Sequence, residues 1–374
     1  MGKSLLTYLP PESGAPGGGI NDLAEGAAVR RTFGFFRERT TVKRSLLLMI
    51  VAALIAPSLS AQQYLVKFAT LAPEGSTPTK MMRDFDKAIR EQSGGRLGFK
   101  IYAGGVAGDE KDVVRKIKLG QYSAAGFTGV GINEIAKKVR ILDAPFLFKN
   151  HDEVDFIVNK FDREFQQAIE EGGFVLLGWA EVGLVYIYSD RPVASAEDLK
   201  KTKIWMWEGD PIAEAAFQAI GVSPIPLSIT DVSTSLQTGM VNTVYVPPYE
   251  LVALSWFTRV KYMMGVPLAN SEGAVLISKK VFDSMPKDIQ DILVTNGRKY
   301  FRQLTVASRE ENQKAITTLK EKGFTVITPT KEVAAQFEAT GKKARQLLVG
   351  KLFSQEFLDQ VESSLRTYRQ EHGK

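Results

Sequence analysis

Residues 64–120 read YLVKFATLAPEGSTPTKMMRDFDKAIREQSGGRLGFKIYAGGVAGDEKDVVRKIKLG, and the order of patterns in this stretch decides the fold class. Tyr64–Thr70 alternates and is β-branched in part, which predicts a strand, and helical spacing over Thr79–Gln92 follows a loop of prolines and glycine. Leu97–Tyr102 predicts a second strand, and Asp109–Leu119 predicts a second helix with a glycine stop. Strand, helix, strand and helix in succession predict an α/β fold with a mostly parallel sheet.

The rest of the chain adds short strands and one long helix. Pro286–Lys322 has few breakers apart from Gly297, so it predicts a helix of unusual length. Gly173–Tyr188 is interpreted as one or two buried strands. Further strand candidates are Ile204–Trp207, Thr243–Val246 and Ala274–Ser278.

Composition limits the possible functions. The 374 residues, 44% hydrophobic and 24% charged, are enough for two packed lobes of about 150 residues each. The formal charge of +6 is mild, and about half of it lies in residues 1–61, so nucleic acid is not an expected partner. The absence of cysteine excludes thiol nucleophiles, disulfides and Cys-ligated metals.

The N-terminal region has the features of an export signal. Lys43 and Arg44 precede the apolar run Leu46–Ala56, and small residues up to Ala61 follow it. A run of 11 residues is too short to span a bilayer as a helix. We therefore predict that residues 1–61 are an upstream extension plus a cleavable signal peptide, with a periplasmic mature protein.

Catalytic residues are scarce in this sequence. His151 and His372 are the only imidazoles, and each is interpreted as a solvated surface residue because no serine or carboxylate stands at motif spacing. The chain has no Gly-x-Ser-x-Gly elbow, no phosphate-loop lysine and no His-Glu-x-x-His motif. We predict that the protein is not an enzyme and needs no cofactor and no metal.

Aromatic residues cluster in the middle third of the chain, several of them at the ends of predicted strands. Core packing explains any single one of them, but as a group they also suit a wall of a ligand cleft, because α/β folds place ligands at strand ends. The cluster comprises Trp205, Trp207, Tyr245, Tyr249, Trp256 and Phe257.

Collinear short segments make the sequence resemble the solute receptors of tripartite ATP-independent periplasmic (TRAP) transporters, the DctP-type family. The resemblance covers nearly all of residues 64–345. The segments are Gly104-Gly105 with Gly108 and Glu110, Leu119-Gly120-Gln121, Leu142-Asp143-Ala144-Pro145-Phe146-Leu147-Phe148, Arg191-Pro192-Val193 before Glu197-Asp198-Leu199-Lys200, Lys203-Ile204, Gly221-Val222-Ser223-Pro224 and Leu236-Gln237-Thr238-Gly239.

This resemblance implies a two-lobed periplasmic binding protein fold of type II-like kind, with crossing hinge strands and a long helix spanning both lobes. The first lobe is then expected at residues 62–183 and 271–310, and the second at 184–270 and 311–374. The implied partners are a small-molecule ligand and the TRAP membrane permease subunits, and some receptors of the family also work with a periplasmic tetratricopeptide-repeat protein.

The family usually binds carboxylates, but three of its polar anchors are replaced here. Trp205 stands where the family places an arginine after the Lys-Ile pair, Val185 stands at the place of a second arginine, and Val246 at that of an asparagine. Burying a carboxylate against such groups costs roughly several kcal/mol of binding free energy, because the carboxylate loses its water and finds no hydrogen-bond donor. We therefore expect an apolar or aromatic ligand.

The alternatives to that ligand are a carboxylate, a cation held by carboxylates and aromatic faces, and a chemosensory rather than a transport role. We expect Trp205→Ala to weaken ligand binding about a hundredfold and to leave the fold nearly intact. Acidic candidates from loops are Glu74, Glu181, Glu208 and Asp210. The expected ligand-binding residues are Trp205, Val185, Val246, Tyr245, Trp207, Glu208, Ile229, Phe127 and Glu74.

Overall fold

The computed structural model describes residues 63–372, so the predicted signal peptide and upstream extension lie outside the described residues. The strands are β1 Tyr64–Ala69, β2 Leu97–Tyr102, β3 Ala124–Thr128, β4 Phe174–Trp179, β5 Gly183–Ser189, β6 Trp205–Trp207, β7 Ile225–Leu227, β8 Thr243–Val246, β9 Tyr262–Met264, β10 Ala269–Ser271, β11 Gly273–Ser278 and β12 Thr325–Ile327.

The helices alternate with these strands, as the sequence predicted for an α/β fold. The α-helices are α1 Thr77–Gln92, α2 Glu110–Lys118, α3 Gly129–Asn133, α4 His151–Lys160, α5 Asp162–Glu171, α6 Ala196–Leu199, α7 Pro211–Ile220, α8 Ile229–Thr238, α9 Pro248–Ala253, α10 Lys279–Asp283, α11 Lys287–Glu321, α12 Lys331–Leu348 and α13 Gln355–His372, and 3₁₀-helices lie at Lys137–Asp143 and Trp256–Thr258.

The first sheet has the strand order β2-β1-β3-β11-β4. Strand β1 runs parallel to β2 and β3, whereas β11 runs antiparallel to β3 and to β4. The predicted mostly parallel sheet is therefore a mixed sheet. The difference arises from a long-range contact. Strand β11 comes from late in the chain and lies between β3 and β4 in the opposite direction, and local sequence patterns do not reveal such a pairing.

The second sheet has the order β10-β5-β9-β12, with β8 also pairing with β5. Strand β5 is antiparallel to its neighbours β8, β9 and β10. A parallel pair, β6 and β7, lies beside it and is joined to β8 through a bridge between Ile204 and Thr243. This arrangement brings the ends of β5, β6 and β8 together.

The chain passes between the two sheets three times, the last time from β11 of the first sheet through α11 to β12 of the second. Strand β4 belongs to the first sheet and the next strand, β5, to the second. Strand β10 belongs to the second sheet, and β11, which follows after one residue, returns the chain to the first. Segments from both sheets therefore meet near these connections, and the lobe boundaries stated above stay a prediction.

The predicted long helix is confirmed as α11, a helix of 35 residues. Near its start it lies close against β4, because a Cβ atom on Gly297 would stand 2.3 Å from the carbonyl oxygen of Leu177. Phe301 packs in the core of the first sheet, while Leu319, five turns further, packs in a core of the second sheet. The helix thus contributes to both hydrophobic cores.

Candidate functional site

Two cavities lie side by side among the elements of both sheets. The first, of about 100 Å³, is lined by Trp205, Trp207 and Tyr245 and is called the aromatic cavity. The second, of about 130 Å³, is lined in part by Phe301, Leu304 and Ser308 of α11 and is called the helix-side cavity. Three residues line both cavities, so the two are adjacent: Thr128, Ile229 and Glu250.

The wall of the aromatic cavity is built around Trp205. Its ring stacks on Tyr245 with centroids 5.1 Å apart and meets Trp256 edge to face at 5.5 Å. Its indole Nε1 donates a hydrogen bond to the carbonyl of Leu227, and the residue is only 1% exposed. Trp205 is therefore a core residue as well as a lining residue, so its burial argues against the expectation that Trp205→Ala leaves the fold nearly intact.

Hydrogen bonds to the lining residue Trp207 involve Asp109, which precedes α2. Its Oδ2 accepts hydrogen bonds from Trp207 Nε1 at 3.0 Å and from Ser228 Oγ at 2.7 Å. The hydroxyl of Tyr245 accepts a hydrogen bond from the backbone nitrogen of Trp207 at 3.0 Å. The two bonds of Asp109 connect the start of α2 with β6 and with the segment after β7. Together with the bond from Tyr245, they hold Trp207 in place.

A buried ion cluster forms the polar side of the aromatic cavity. The Arg140 side chain, 3% exposed, donates to Asp143 at 2.8 Å and to Asp210 at 2.9 Å, and its Nη1 donates to the carbonyl of Gly129. Burial raises the pKa of Asp143 to about 6 against the attraction of Arg140. With two carboxylates around it, the guanidinium offers no net positive charge to an anion.

Carboxylates also line the helix-side cavity. Glu110 accepts hydrogen bonds from the nitrogen and hydroxyl of Thr128 and from the nitrogen of Gly131, yet burial raises its pKa to about 7. Glu181 is paired with Arg309 at 2.5 Å and lies 2.7 Å from Nδ1 of His151. The interpretation of His151 as a solvated surface residue is thus wrong, because its ring is partly buried against this carboxylate.

Glu250 differs from these carboxylates because it has no partner. It lies on α9, just after β8, and lines both cavities. Its carboxylate makes no hydrogen bond and no ion pair with any residue from 63 to 372, and burial raises its pKa to about 7. Sequence reasoning missed Glu250, although its place just after the Pro247-Pro248 pair at a strand end is a position where α/β folds bind ligands.

Most of the predicted ligand-binding residues come together in these cavities. Glu74 and Glu208 line neither: Glu74 is exposed and paired with Arg83 at 2.7 Å, and the exposed Glu208 contributes only its carbonyl to Lys111. Phe127 lines the helix-side cavity and Ile229 lines both. The residues of the prediction that line the aromatic cavity are Val185, Trp205, Trp207, Ile229, Tyr245 and Val246.

Comparison with known proteins relates the chain to solute receptors. The family described as bacterial extracellular solute-binding protein, family 7 (DctP), matches residues 68–350. The 2,3-diketo-L-gulonate-binding periplasmic protein YiaO of Escherichia coli K12 is 26% identical over 317 residues, which cover 83% of this chain and 94% of that protein.

Solved structures share the architecture. A TRAP periplasmic solute-binding protein of Desulfovibrio salexigens with bound orotic acid superposes with a TM-score of 0.75 at 19% identity, over 81% of this chain and 99% of that one. One of Citrobacter koseri with bound D-glucuronate has a TM-score of 0.73 at 21% identity, over 81% and 98% of the two chains. The expected two-lobed α/β fold is confirmed.

Proposed function

Because the chain belongs to the DctP family of bacterial extracellular solute-binding proteins, we propose that it is a TRAP receptor whose ligand has an apolar or aromatic body. The receptor role follows from the family, whose members are periplasmic and work with a TRAP permease. The nature of the ligand is the part that goes beyond the family.

One observation carries this proposal: the three positions that lost polar anchors line the same cavity. Val185, Trp205 and Val246 all face the aromatic cavity, with Tyr245 and Trp207 beside them. A carboxylate placed there would exchange water for aromatic and aliphatic carbon, at a cost of several kcal/mol, roughly. The substitutions therefore act together on one ligand surface.

The remaining polar groups do not replace the lost anchors. Arg140 is the arginine that lines the aromatic cavity, and both Asp143 and Asp210 already occupy its donors. An anion would meet a cluster that carries more negative than positive charge. The chain therefore departs from its relatives with orotic acid and D-glucuronate, which hold acids.

The size of the cavities suits a small ring. A cavity of about 150 Å³ lined by aliphatic and aromatic side chains can bind benzene. The aromatic and helix-side cavities, of about 100 and 130 Å³, are of that order. A ligand with one ring and a short chain would fill one cavity and reach the other past Thr128, Ile229 and Glu250.

The test has two arms. Mass spectrometry of the organic extract of freshly purified protein identifies what it carries, and calorimetry then measures affinity for an aromatic compound such as 2-phenylethanol against succinate, orotate and D-glucuronate. We expect the aromatic compound to bind and the acids to bind weakly or not at all. Tight binding of any of the three acids to the unmutated protein would overturn the proposal.

Glu74→Gln is the control variant for these titrations. Glu74 was a predicted site residue, but it lies on the surface with Arg83 and lines neither cavity. Its substitution should leave every affinity unchanged. The tetratricopeptide-repeat partner and the two lobe boundaries stay predictions, which co-purification and limited proteolysis with and without ligand would test.

A further inference from the structure

Two polar side chains that line the aromatic cavity have an acceptor without a donor. Glu250 has no hydrogen bond or ion pair within the described part of the chain. Asn270 is 1% exposed, and its Oδ1 has no hydrogen-bond partner among residues 63–372. From this pair we infer that the ligand carries a protonated amine, which donates to the carboxylate of Glu250 and to Oδ1 of Asn270. This inference rests on the proposed function and specifies the head group of that ligand.

The orientation of the Asn270 amide is fixed by its surroundings. Its Nδ2 donates to the carbonyl oxygen of Leu142 at 3.4 Å. Turning the amide over would place two oxygens against each other and is therefore excluded. The free atom is the acceptor, as at Glu250, so both vacant positions call for a donor on the ligand.

The other carboxylates that line the two cavities already have partners. Asp143 and Asp210 share Arg140, Glu181 is paired with Arg309, and Glu110 accepts three hydrogen bonds. Of these five carboxylates, Glu250 alone has no donor among the described residues. An ammonium group brings both the opposite charge and up to three N–H donors, whereas an alcohol brings one donor and no charge.

Charge and aromatic rings around the aromatic cavity favour the same head group. Arg140 is opposed there by Asp143, Asp210 and Glu250, so the lining carries an excess of negative charge when these groups are ionised. The rings of Trp207 and Tyr245 also line it, and a cation is attracted to the face of an aromatic ring. A carboxylate would be repelled by the negative charge of the lining and would not be attracted to the faces of the aromatic rings.

Glu250 differs from an ordinary surface acid in its surroundings. The residue is only partly exposed, its side chain borders both cavities, and burial raises its pKa to about 7. Its neighbours in the shared wall, Thr128 and Ile229, supply no positive charge. The ligand is thus the available source of a counter-charge at this position.

The experiment compares three probes of nearly equal shape by calorimetry at pH 8: 2-phenylethylammonium, 2-phenylethanol and phenylacetate. We expect the ammonium compound to bind roughly 10- to 100-fold more tightly than the alcohol, the range for a hydrogen bond between charged groups, and phenylacetate to bind more weakly than both. In E250Q the ammonium compound and the alcohol should bind within about threefold of each other, since the carboxylate that distinguishes them is gone.

Circular dichroism is used to check that E250Q is folded. Glu74→Gln is the control variant, which should retain the preference for the ammonium compound over the alcohol. If 2-phenylethylammonium and 2-phenylethanol bind the unmutated protein equally, the inference is wrong and the proposed aromatic ligand stands. The same conclusion follows if E250Q keeps the full preference. If none of the three probes binds while succinate or D-glucuronate does, the proposed function and the inference both fail.

Discussion

Replacing Trp205 by alanine should destabilise the protein as well as weaken ligand binding. The ring is 1% exposed, so nearly all of the roughly 150–250 Å² of a large aromatic side chain is buried. At about 25 cal/mol per Å², this burial corresponds to roughly 4–6 kcal/mol as an upper bound. Tryptophan-to-alanine changes in cores cost about 3–5 kcal/mol, and the carbonyl of Leu227 also loses one of its two donors.

We therefore expect Trp205→Ala to lower the free energy of unfolding by about 4 kcal/mol. Urea unfolding followed by far-UV circular dichroism measures this, since the loss of one tryptophan does not disturb that signal. Trp179→Ala is the matched control. Trp179 is only partly buried, meets Phe165 edge to face at 6.0 Å and lines neither cavity. Its substitution should cost less than half as much.

The two roles of Trp205 are separated by Trp205→Phe, which keeps most of the buried area. Affinity for the aromatic probe should fall less in this variant than in Trp205→Ala, and stability should stay within about 2 kcal/mol of the unmutated protein. The reasoning would be refuted if Trp205→Ala unfolded within 1 kcal/mol, roughly, of the unmutated protein. Such a result would mean that the ring faces the ligand without supporting the core.

Three further changes test other parts of the structure. Arg140→Met should cost about 3–5 kcal/mol in urea unfolding at pH 8 and less at pH 5, because burial raises the pKa of Asp143 to about 6 and this carboxylate is then largely protonated. Gly297→Ala should lower the melting temperature although alanine is the better helix former, because the new Cβ would stand 2.3 Å from the carbonyl oxygen of Leu177; a rise would contradict the observed packing. Burial raises the pKa of Glu250 from 4.5 to about 7, so its contribution to the stability of the ligand-free protein is fully present below pH 4.5 and is lost as the pH rises to 7. Urea unfolding at pH 5 and pH 8 should show this loss of stability. In E250Q the difference in stability between the two pH values should be smaller by up to about 3 kcal/mol.

Local patterns in the sequence predicted the secondary structure well where the signal was long or sharply bounded. The strand at Leu97–Tyr102 and the strand at Thr243–Val246 have the predicted limits, and the long helix differs by one residue at each end. Glycine stops and regular spacing are properties of neighbouring residues, so they can be read without knowledge of the fold. The direction of β11 in the first sheet depends on a distant strand and could not be predicted in this way.

The candidate site was predicted in part for the same reason. Val185, Trp205 and Val246, which were selected by the resemblance, line one cavity, because the family aligns these positions whatever residue stands there. Glu74 and Glu208 were chosen for loop position alone, and loop position does not distinguish a cavity from the surface. Glu250 could be recognised only from its missing partner, which is a property of the folded chain and not of the sequence.

The proposed preference for an amine over an acid can be examined through the bonds that each ligand would displace. An acid could bind Arg140 only if it displaced Asp143 or Asp210. Each of these aspartates also accepts a hydrogen bond from the backbone, and this bond would be lost too. Asp210 caps α7 by accepting a hydrogen bond from the nitrogen of Ile212, and Asp143 accepts one from the nitrogen of Glu272. Displacing either would leave a buried backbone donor unpaired, at a cost of about 1–3 kcal/mol in addition to the lost ion pair. An ammonium group at Glu250 displaces nothing, since the carboxylate there has no partner to lose. The proposed discrimination against acids and the proposed binding of an amine therefore both follow from one distribution of charge.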